Sequence, residues 1–549
     1  MAVCCAVLCV GCQPAEEAPY VAKAPDYRKT AKNNAAFTFY SYSSVSNGLE
    51  TRKDENGNRY TVEIGPDCIT EEKFLEYKAC GLEILMPQSV ATVGNASAYQ
   101  SGGNTPLWKT VLDLAKKTGL KVLLTDNPLM YASSGESSDK SLYESDAAMD
   151  AFVRAQLLLY AKHPAFYGVL LRDEVSAKVL KSGTFGKVYR SIKRVEAELI
   201  ASGEIKNEIF IHINLRGVGS YYQGYSDHTG DAFPELSRLE YYAIMPALTY
   251  KPHSSETDEE FYERVEAQIR ATKYADRVPL RYTLQRARYR KLVELLLDET
   301  GADHFAIDLY PMYEAGPMTV YLMGLQVGAE VAKERGVEMH IVTQATSFPF
   351  GDPPNTRILT ENDMRWLNNT LLGFGVKTIC YYGYFEPSEA IVGSSMMLDS
   401  GVKTPLWDAC NQIMKENRAF ESTILNFDFV GSKGYQKSSL TYAADYVTYL
   451  PNALRFQWLK DVEWDKETLF VTEMYDENKG NYMYMALNAI DPKEGMNTNT
   501  LISATLTFDP QFTHAVVWKN GKKTEVELLN GKLDVQNFPG EAVYVIPYK

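Results

Sequence analysis

The chain has 549 residues, of which 45% are hydrophobic and 23% charged, and its formal net charge is −14. That length exceeds what one ordinary core organises, so two or three domains are expected. The acidic balance, with no run of Lys or Arg, argues against nucleic acid or an anionic membrane surface as the main partner.

Four of the eight cysteines, Cys4, Cys5, Cys9 and Cys12, fall in the first twelve residues; Cys68, Cys80, Cys380 and Cys410 are scattered. Neither a disulfide framework nor a paired metal-ligand spacing is present. The apolar start ending in small residues reads as the tail of a secretion signal. Gly11-Cys12 resembles a bacterial lipobox, with Cys9 where that motif has Leu. It implies lipidation at Cys12, a place in the bacterial cell envelope, on the outer surface or in the periplasm, and a membrane association through that anchor alone. Residues 1–34 thus read as signal remnant and flexible tether, with Pro14, Pro19 and Pro25 in the latter.

From residue 35 short apolar runs alternate with helical patterns. The runs are Phe37–Ser41, Leu82–Met86, Leu120–Leu124, Tyr167–Leu171, Ile209–Ile213, His304–Asp308, Met339–Thr343 and Thr378–Tyr382. Several lack polar alternation, as strands covered on both faces do. Between them, Leu107, Val111, Leu112 and Ala115 recur at helical spacing, and Gly119 ends that pattern. Thr360 caps another helix, with Asp363 in its first turn and Met364, Leu367 and Leu371 on one face; Gly373 and Gly375 stop it. The alternation predicts a (β/α)8 barrel over 35–425, with its largest insertion at about 216–290. An open doubly wound sheet would need a phosphate-binding glycine motif near the first strand, and none is there.

Over 426–549 strand-like runs follow one another without helices: Tyr446–Leu450, Leu454–Trp458, Leu469–Thr472, Tyr482–Met485 and Ala542–Ile546. Asn520-Gly521 and Asn530-Gly531 read as hairpin turns, because Asn and Gly accept the positive φ those turns need. The fold class is therefore α/β, a TIM barrel followed by a small all-β sandwich.

The sharpest chemical signal is Asp173-Glu174 at the end of the fourth apolar run. Barrel active sites gather at that end of the strands. Two acids side by side raise at least one pKa, which lets a carboxyl group donate a proton near neutral pH. A solvated acid pair opening a loop is the plainer alternative.

The stretch His163–Glu174 resembles the fourth-strand region of the large clan of retaining barrel glycosidases, where a Glu after an Asn is the acid/base; some gut-bacterial lipoprotein members show Asp-Glu instead. The resemblance implies the acid/base role for Glu174 and a supporting role for Asp173. Asp308, Tyr310 and Pro311 resemble the sixth-strand pattern, and Gly375–Tyr384 the eighth. The β-rich tail is a frequent companion in that group. The resemblance also implies a carbohydrate substrate and a hydrolysis that needs no metal or organic cofactor. The 37 Tyr, 22 Phe and 6 Trp suit stacking on sugar rings, though cores use them as well.

One departure stands out. The clan's nucleophile is a Glu ending the seventh strand, and Gln344 occupies that place. An amide cannot act as a carboxylate nucleophile. Either another acid serves, with Glu386 and Asp308 the candidates, or the reaction inverts with one of these activating water, or the barrel binds sugar without cleaving it, as a surface glycan-binding lipoprotein would. Tyr40, Asp126, Asn214, Tyr310, Gln344, Tyr382 and Tyr384 lie near strand ends and complete the candidate substrate site. His212 and His304, in apolar strands, and Trp407, in a helical pattern, read as core. No zinc-helix motif, nucleophile elbow or phosphate loop is present.

Overall fold

In the computed structural model, residues 36–549 are described apart from 54, 57–58, 88–89, 95–104, 219–279 (except 264 and 267), 315, 319, 350–355, 388–389, 437–454 and 466–467. Cys12 with the tether, most of the 216–290 insertion and the strand expected at Tyr446–Leu450 lie outside the described residues.

Each of the eight apolar runs forms a strand: β1 (Thr38–Ser41), β2 (Ile84–Leu85), β3 (Lys121–Thr125), β4 (Phe166–Arg172), β5 (Phe210–Arg216), β6 (His304–Leu309), β7 (Glu338–Gln344) and β8 (Thr378–Tyr382). Neighbours pair in parallel in sequence order, and β8 pairs with β1, so the barrel is closed. Closure removes the open-sheet alternative. Side chains alternate across each strand. Phe39, Ile211, Ile213, Ile307, Ile341 and Ile379 face outward into the layer of helices. Tyr40, Ile84, Leu123, Leu170, Ala306, Val342 and Cys380 point inward and fill the barrel. Both faces are apolar, which is why the runs carry little alternation in sequence.

At least one helix follows every strand, and the expected boundaries hold. The helix Leu107–Thr118 ends at Gly119, whose φ of 74° is left-handed. The helix Glu361–Gly373 opens on a capping box in which Thr360 and Asp363 satisfy each other's backbone N–H groups.

The C-terminal strands are β9 (Asp428–Gln436), β10 (Leu459–Trp464), β11 (Thr468–Asp476), β12 (Asn481–Asn488), β13 (Ile502–Phe508), β14 (His514–Lys519), β15 (Lys522–Glu527), β16 (Lys532–Asn537) and β17 (Ala542–Tyr548). They form a six-stranded sheet, β9-β11-β12-β17-β14-β15, facing a three-stranded one, β10-β13-β16, over a core of their own. Both Asn-Gly pairs turn with positive φ at each residue. The strand expected at Leu454–Trp458 begins instead at Leu459: Trp458 packs on Phe512 at a sandwich edge, and its N–H is taken by the Tyr484 hydroxyl rather than by a ladder. The outer face of the larger sheet packs on the barrel. Phe374 meets Phe429 and Phe470, and Phe420 meets Trp518 and Tyr544. Each such buried aromatic contributes about 1.5–3 kcal/mol, so sheet and barrel share one apolar layer.

Candidate active site

The carboxyl end of the barrel carries the acids. A register shift between Leu170 and Arg172 breaks the even pairing of β4 with β5. Bulges of this kind re-aim side chains at the rims of barrels. Beyond it the chain leaves the strand, and Glu174 adopts a left-handed φ of 48°, which costs a non-glycine residue about 1–2 kcal/mol. The cost is offset by β5: Asn214 accepts the Glu174 N–H on its side-chain oxygen at 3.3 Å and the Val175 N–H on its backbone oxygen at 3.0 Å.

The same Asn214 ties the acids together. Its Nδ2 donates to Asp173 Oδ1 at 2.9 Å and lies 2.7 Å from both oxygens of Asp308 on β6. Asp173 and Asp308 are therefore no further apart than two hydrogen bonds laid end to end. Tyr42, just past β1, donates its hydroxyl to Asp173 Oδ1 at 3.2 Å. Arg216, one inward position beyond Asn214, donates through Nε to Glu174 Oε2. Gly217 follows because a Cβ there would sit 2.3 Å from the Asp308 carbonyl oxygen. Beneath this layer His212 lies between two phenols, Nδ1 2.9 Å from the Tyr40 hydroxyl and Nε2 3.0 Å from the Tyr42 hydroxyl.

Three carboxyl groups so close cannot all ionise freely. Burial raises Asp308 well above the ordinary carboxylate value, and the charges of Asp173 and Glu174 push it further. Glu174 is raised by burial and by Asp173, against the opposing pull of Arg216. Asp173 is raised by surrounding protein, opposed by the hydrogen bonds from Asn214 and Tyr42. Its surface is nevertheless open to solvent. His212 is pushed down to about 3 by burial and stays neutral.

One wall is aromatic. Tyr382 at the end of β8 has its ring centroid 5.3 Å from Tyr42, 5.5 Å from Tyr310 and 5.5 Å from Phe348. Such faces complement the apolar faces of a pyranose ring.

Of the residues expected from sequence, Asp173, Glu174, Asn214, Asp308, Tyr310 and Tyr382 meet here, with Tyr40 one layer below. Four do not join them as a binding group. Asp126 caps the helix Asn127–Ser133, accepting the Leu129 N–H at 2.9 Å and the Tyr160 hydroxyl at 2.9 Å, fully buried. Glu386 accepts the Gly393 N–H and faces Asp399 rather than the acid cluster. Tyr384 packs on Tyr77 outside the barrel and takes the Trp407 indole N–H at 3.2 Å, because β8 ends at Tyr382 and the chain does not keep the strand's alternation. Gln344 does point inward, but its amide is spent on the Met312 backbone, at 2.9 Å to the N–H and 3.4 Å to the carbonyl. Tyr42, Arg216 and Phe348 were not expected. The signal for Arg216 was present: His212, Asn214 and Arg216 are polar at a spacing of two in an otherwise apolar strand.

Among the described residues no group of three or more His, Cys, Asp or Glu is arranged to hold a metal ion. A cleft of about 510 Å³ lies between the helices Glu361–Gly373 and Pro405–Ile424, away from these acids, lined by residues such as Thr360, Glu361 and Asp408.

No protein-family model matches the chain, and no curated protein matches it. Among solved structures, a glycoside hydrolase family 30 subfamily 8 xylanase from Clostridium acetobutylicum is similar at 11% identity and TM-score 0.38, with 95% of this chain and 97% of that one covered. An endo-β-1,4-mannanase from Thermotoga petrophila is similar at 12% identity and TM-score 0.36, covering 92% and 98%. A further chain described as a glycoside hydrolase stands at 13% and 0.39, covering 93% and 98%. Likeness of this degree carries no argument about activity; the barrel rests on the chain's own strand pairing.

Proposed function

We propose that the protein is a glycoside hydrolase acting on a poly- or oligosaccharide, with Glu174 as proton donor and a second carboxylate drawn from the same cluster, Asp173 or Asp308. The observation that supports this reading best is the gathering of three acids from two strands around one asparagine at the carboxyl end of the barrel. A carboxyl raised by burial and by a neighbouring acid keeps its proton to higher pH and can pass it to a leaving glycosidic oxygen. An anion beside it stabilises the positive charge that develops at the anomeric carbon. Tyr310 and Tyr382, backed by the buried Phe348, keep part of their faces exposed and suit the ring's apolar face.

A second reading, a glycan-binding protein without turnover, draws on two observations. Arg216 pairs with Glu174 and opposes its protonation, and β7 ends in an amide, Gln344, rather than an acid. A panel of polysaccharides and oligosaccharides, assayed in parallel for binding and for released reducing ends, separates the two. Release of reducing ends from a bound glycan supports the hydrolase; binding with no release overturns it. The extracytoplasmic, lipid-anchored location belongs to the same proposal and rests on Gly11-Cys12. Incorporation of labelled palmitate in a bacterial host, lost in Cys12→Ala, is the expected result, and no incorporation removes the anchor.

A further inference from the structure

The hydroxyls and imidazole beneath the acid cluster form a chain whose direction is fixed by donor accounting. Tyr40 is 1% exposed, and the acceptor its hydroxyl proton finds among the described residues is His212 Nδ1, at 2.9 Å. A buried O–H is rarely left without an acceptor. Nδ1 must then be the bare nitrogen, which in a neutral imidazole puts the proton on Nε2. Nε2–H donates to the Tyr42 oxygen at 3.0 Å, and Tyr42 in turn has its own proton to give, with Asp173 Oδ1 at 3.2 Å to take it. In the opposite direction Asp173 would have to be the protonated end, and the Tyr40 hydrogen would be stranded in the barrel interior.

We propose that His212 is a positioning residue: held as the Nε2–H tautomer by Tyr40, it orients the Tyr42 hydroxyl as a fixed donor to Asp173 Oδ1, which favours Asp173 as the ionised member of the acid cluster and leaves the cluster's proton to Glu174 or Asp308. The catalytic consequence rests on the hydrolase reading above; the protonation pattern does not. The other groups facing Asp173 sort by sign. Arg172 and Arg216 favour its ionised form, and Asn214 donates to it. The charge of Asp173 drives Glu174 and Asp308 toward their neutral forms. Tyr310 and Cys380 also face it and are raised, so they remain neutral. His212 itself is shielded from protonation by burial and by His340 and His304 below. The chain thus supplies a fixed donor without adding charge, which suits an anion at Asp173. In hydrolysis it makes Asp173 the anion beside the anomeric carbon, with Glu174 the donor.

The test needs no substrate. In full-length protein labelled with 15N-histidine, a long-range proton–nitrogen correlation spectrum reports the tautomer of His212, assigned by the signal lost in His212→Gln. The expected result is a neutral ring with the proton on Nε2 from pH 5 to 8. A proton on Nδ1, or an imidazolium signal at pH 6, overturns the proposal. With 13Cγ-labelled aspartate and Asp173→Asn for assignment, Tyr42→Phe is expected to raise the Asp173 midpoint by about one pH unit, because a hydrogen bond to the charged form is lost. Tyr40→Phe, which deletes one buried oxygen and tests the chain from its far end, is expected to give a smaller rise in the same direction. An unchanged midpoint in Tyr42→Phe, measured in protein that melts as the parent does, also overturns it. If the spectra agree and no glycan is cleaved, the hydrolase reading fails while the relay stands.

Discussion

Replacement of Glu174 by Gln isolates the proton-donor role. The side chain keeps its size and loses only the ability to give a proton. The structure indicates what else changes. The ion pair with Arg216 disappears; the two side chains are half-buried, 26% and 23% exposed, so its loss costs more than the roughly 0–1 kcal/mol of a solvent-exposed pair and less than the roughly 3–5 kcal/mol of a fully buried one. Against that, one member of a mutually repelling trio is neutralised. The two effects oppose each other, so stability is expected to fall by no more than about 2 kcal/mol, and a melting curve of the variant separates lost chemistry from unfolding. General acid catalysis contributes about 10²–10⁴-fold, equivalent to about 2.7–5.4 kcal/mol. The assay compares two glycosides of whichever sugar the screen identifies, one with an alkoxide leaving group and one with 2,4-dinitrophenolate. The alkoxide leaves poorly without a proton and should lose the full factor. The phenolate leaves unassisted and should lose far less, while the dissociation constant of an intact ligand stays within a few-fold. Equal losses on both glycosides, or unchanged turnover, would refute the assignment of Glu174 as the donor.

Asp308→Asn should become progressively more stable relative to the parent as pH rises: a buried acid raised above its ordinary value favours folding at low pH and loses that contribution as pH climbs through the folded pKa. Urea unfolding at pH 4 and pH 7 measures this, and a relative stability that moves the other way contradicts the clustered-acid description. Asp126 sits fully buried at a helix cap and is raised from 3.8 to about 6, so the folded state disfavours its charge above that pH. Asp126→Asn keeps the capping oxygen and should gain roughly 3 kcal/mol at pH 7.5, a gain that vanishes below pH 4; thermal melts at the two pH values decide it, and activity should be unaffected. Gln344→Glu restores an acid to the end of β7 but sets a carboxylate against the Met312 carbonyl. It should cost about 1–3 kcal/mol and add no turnover, and any gain in rate would show that Gln344 stands in the reaction and not in the scaffold.

Much of the architecture was legible along the chain because its causes are local. Strands such as His304–Leu309 are buried on both faces and read as unbroken apolar runs. Gly119 and the Thr360–Asp363 capping box mark helix ends through φ and through hydrogen bonds spanning three residues. The Asn-Gly pairs turn because those two residues tolerate positive φ. Asp173-Glu174 at a strand end, with Asn214 and Asp308 at others, marked the rim of the barrel where these side chains meet.

Which strand-end groups actually meet was settled only by barrel closure. Asp126 and Asp173 both follow apolar strands; Pro128, in the first turn after Asp126, is the local signal of a helix start that sets them apart. A helix starts at once after β3 and draws Asp126 into its cap, whereas the bulge in β4 swings Asp173 over the barrel mouth. Tyr382 and Tyr384 part because β8 stops between them. Asn214 lies 41 residues from Asp173 and 94 from Asp308, and the contacts that make it the hub exist only once β4, β5 and β6 stand side by side. Propensity and periodicity act over a few residues, so they specify the elements; the protonation state of a cluster depends on distances between segments far apart in the chain, and those are created by the tertiary fold.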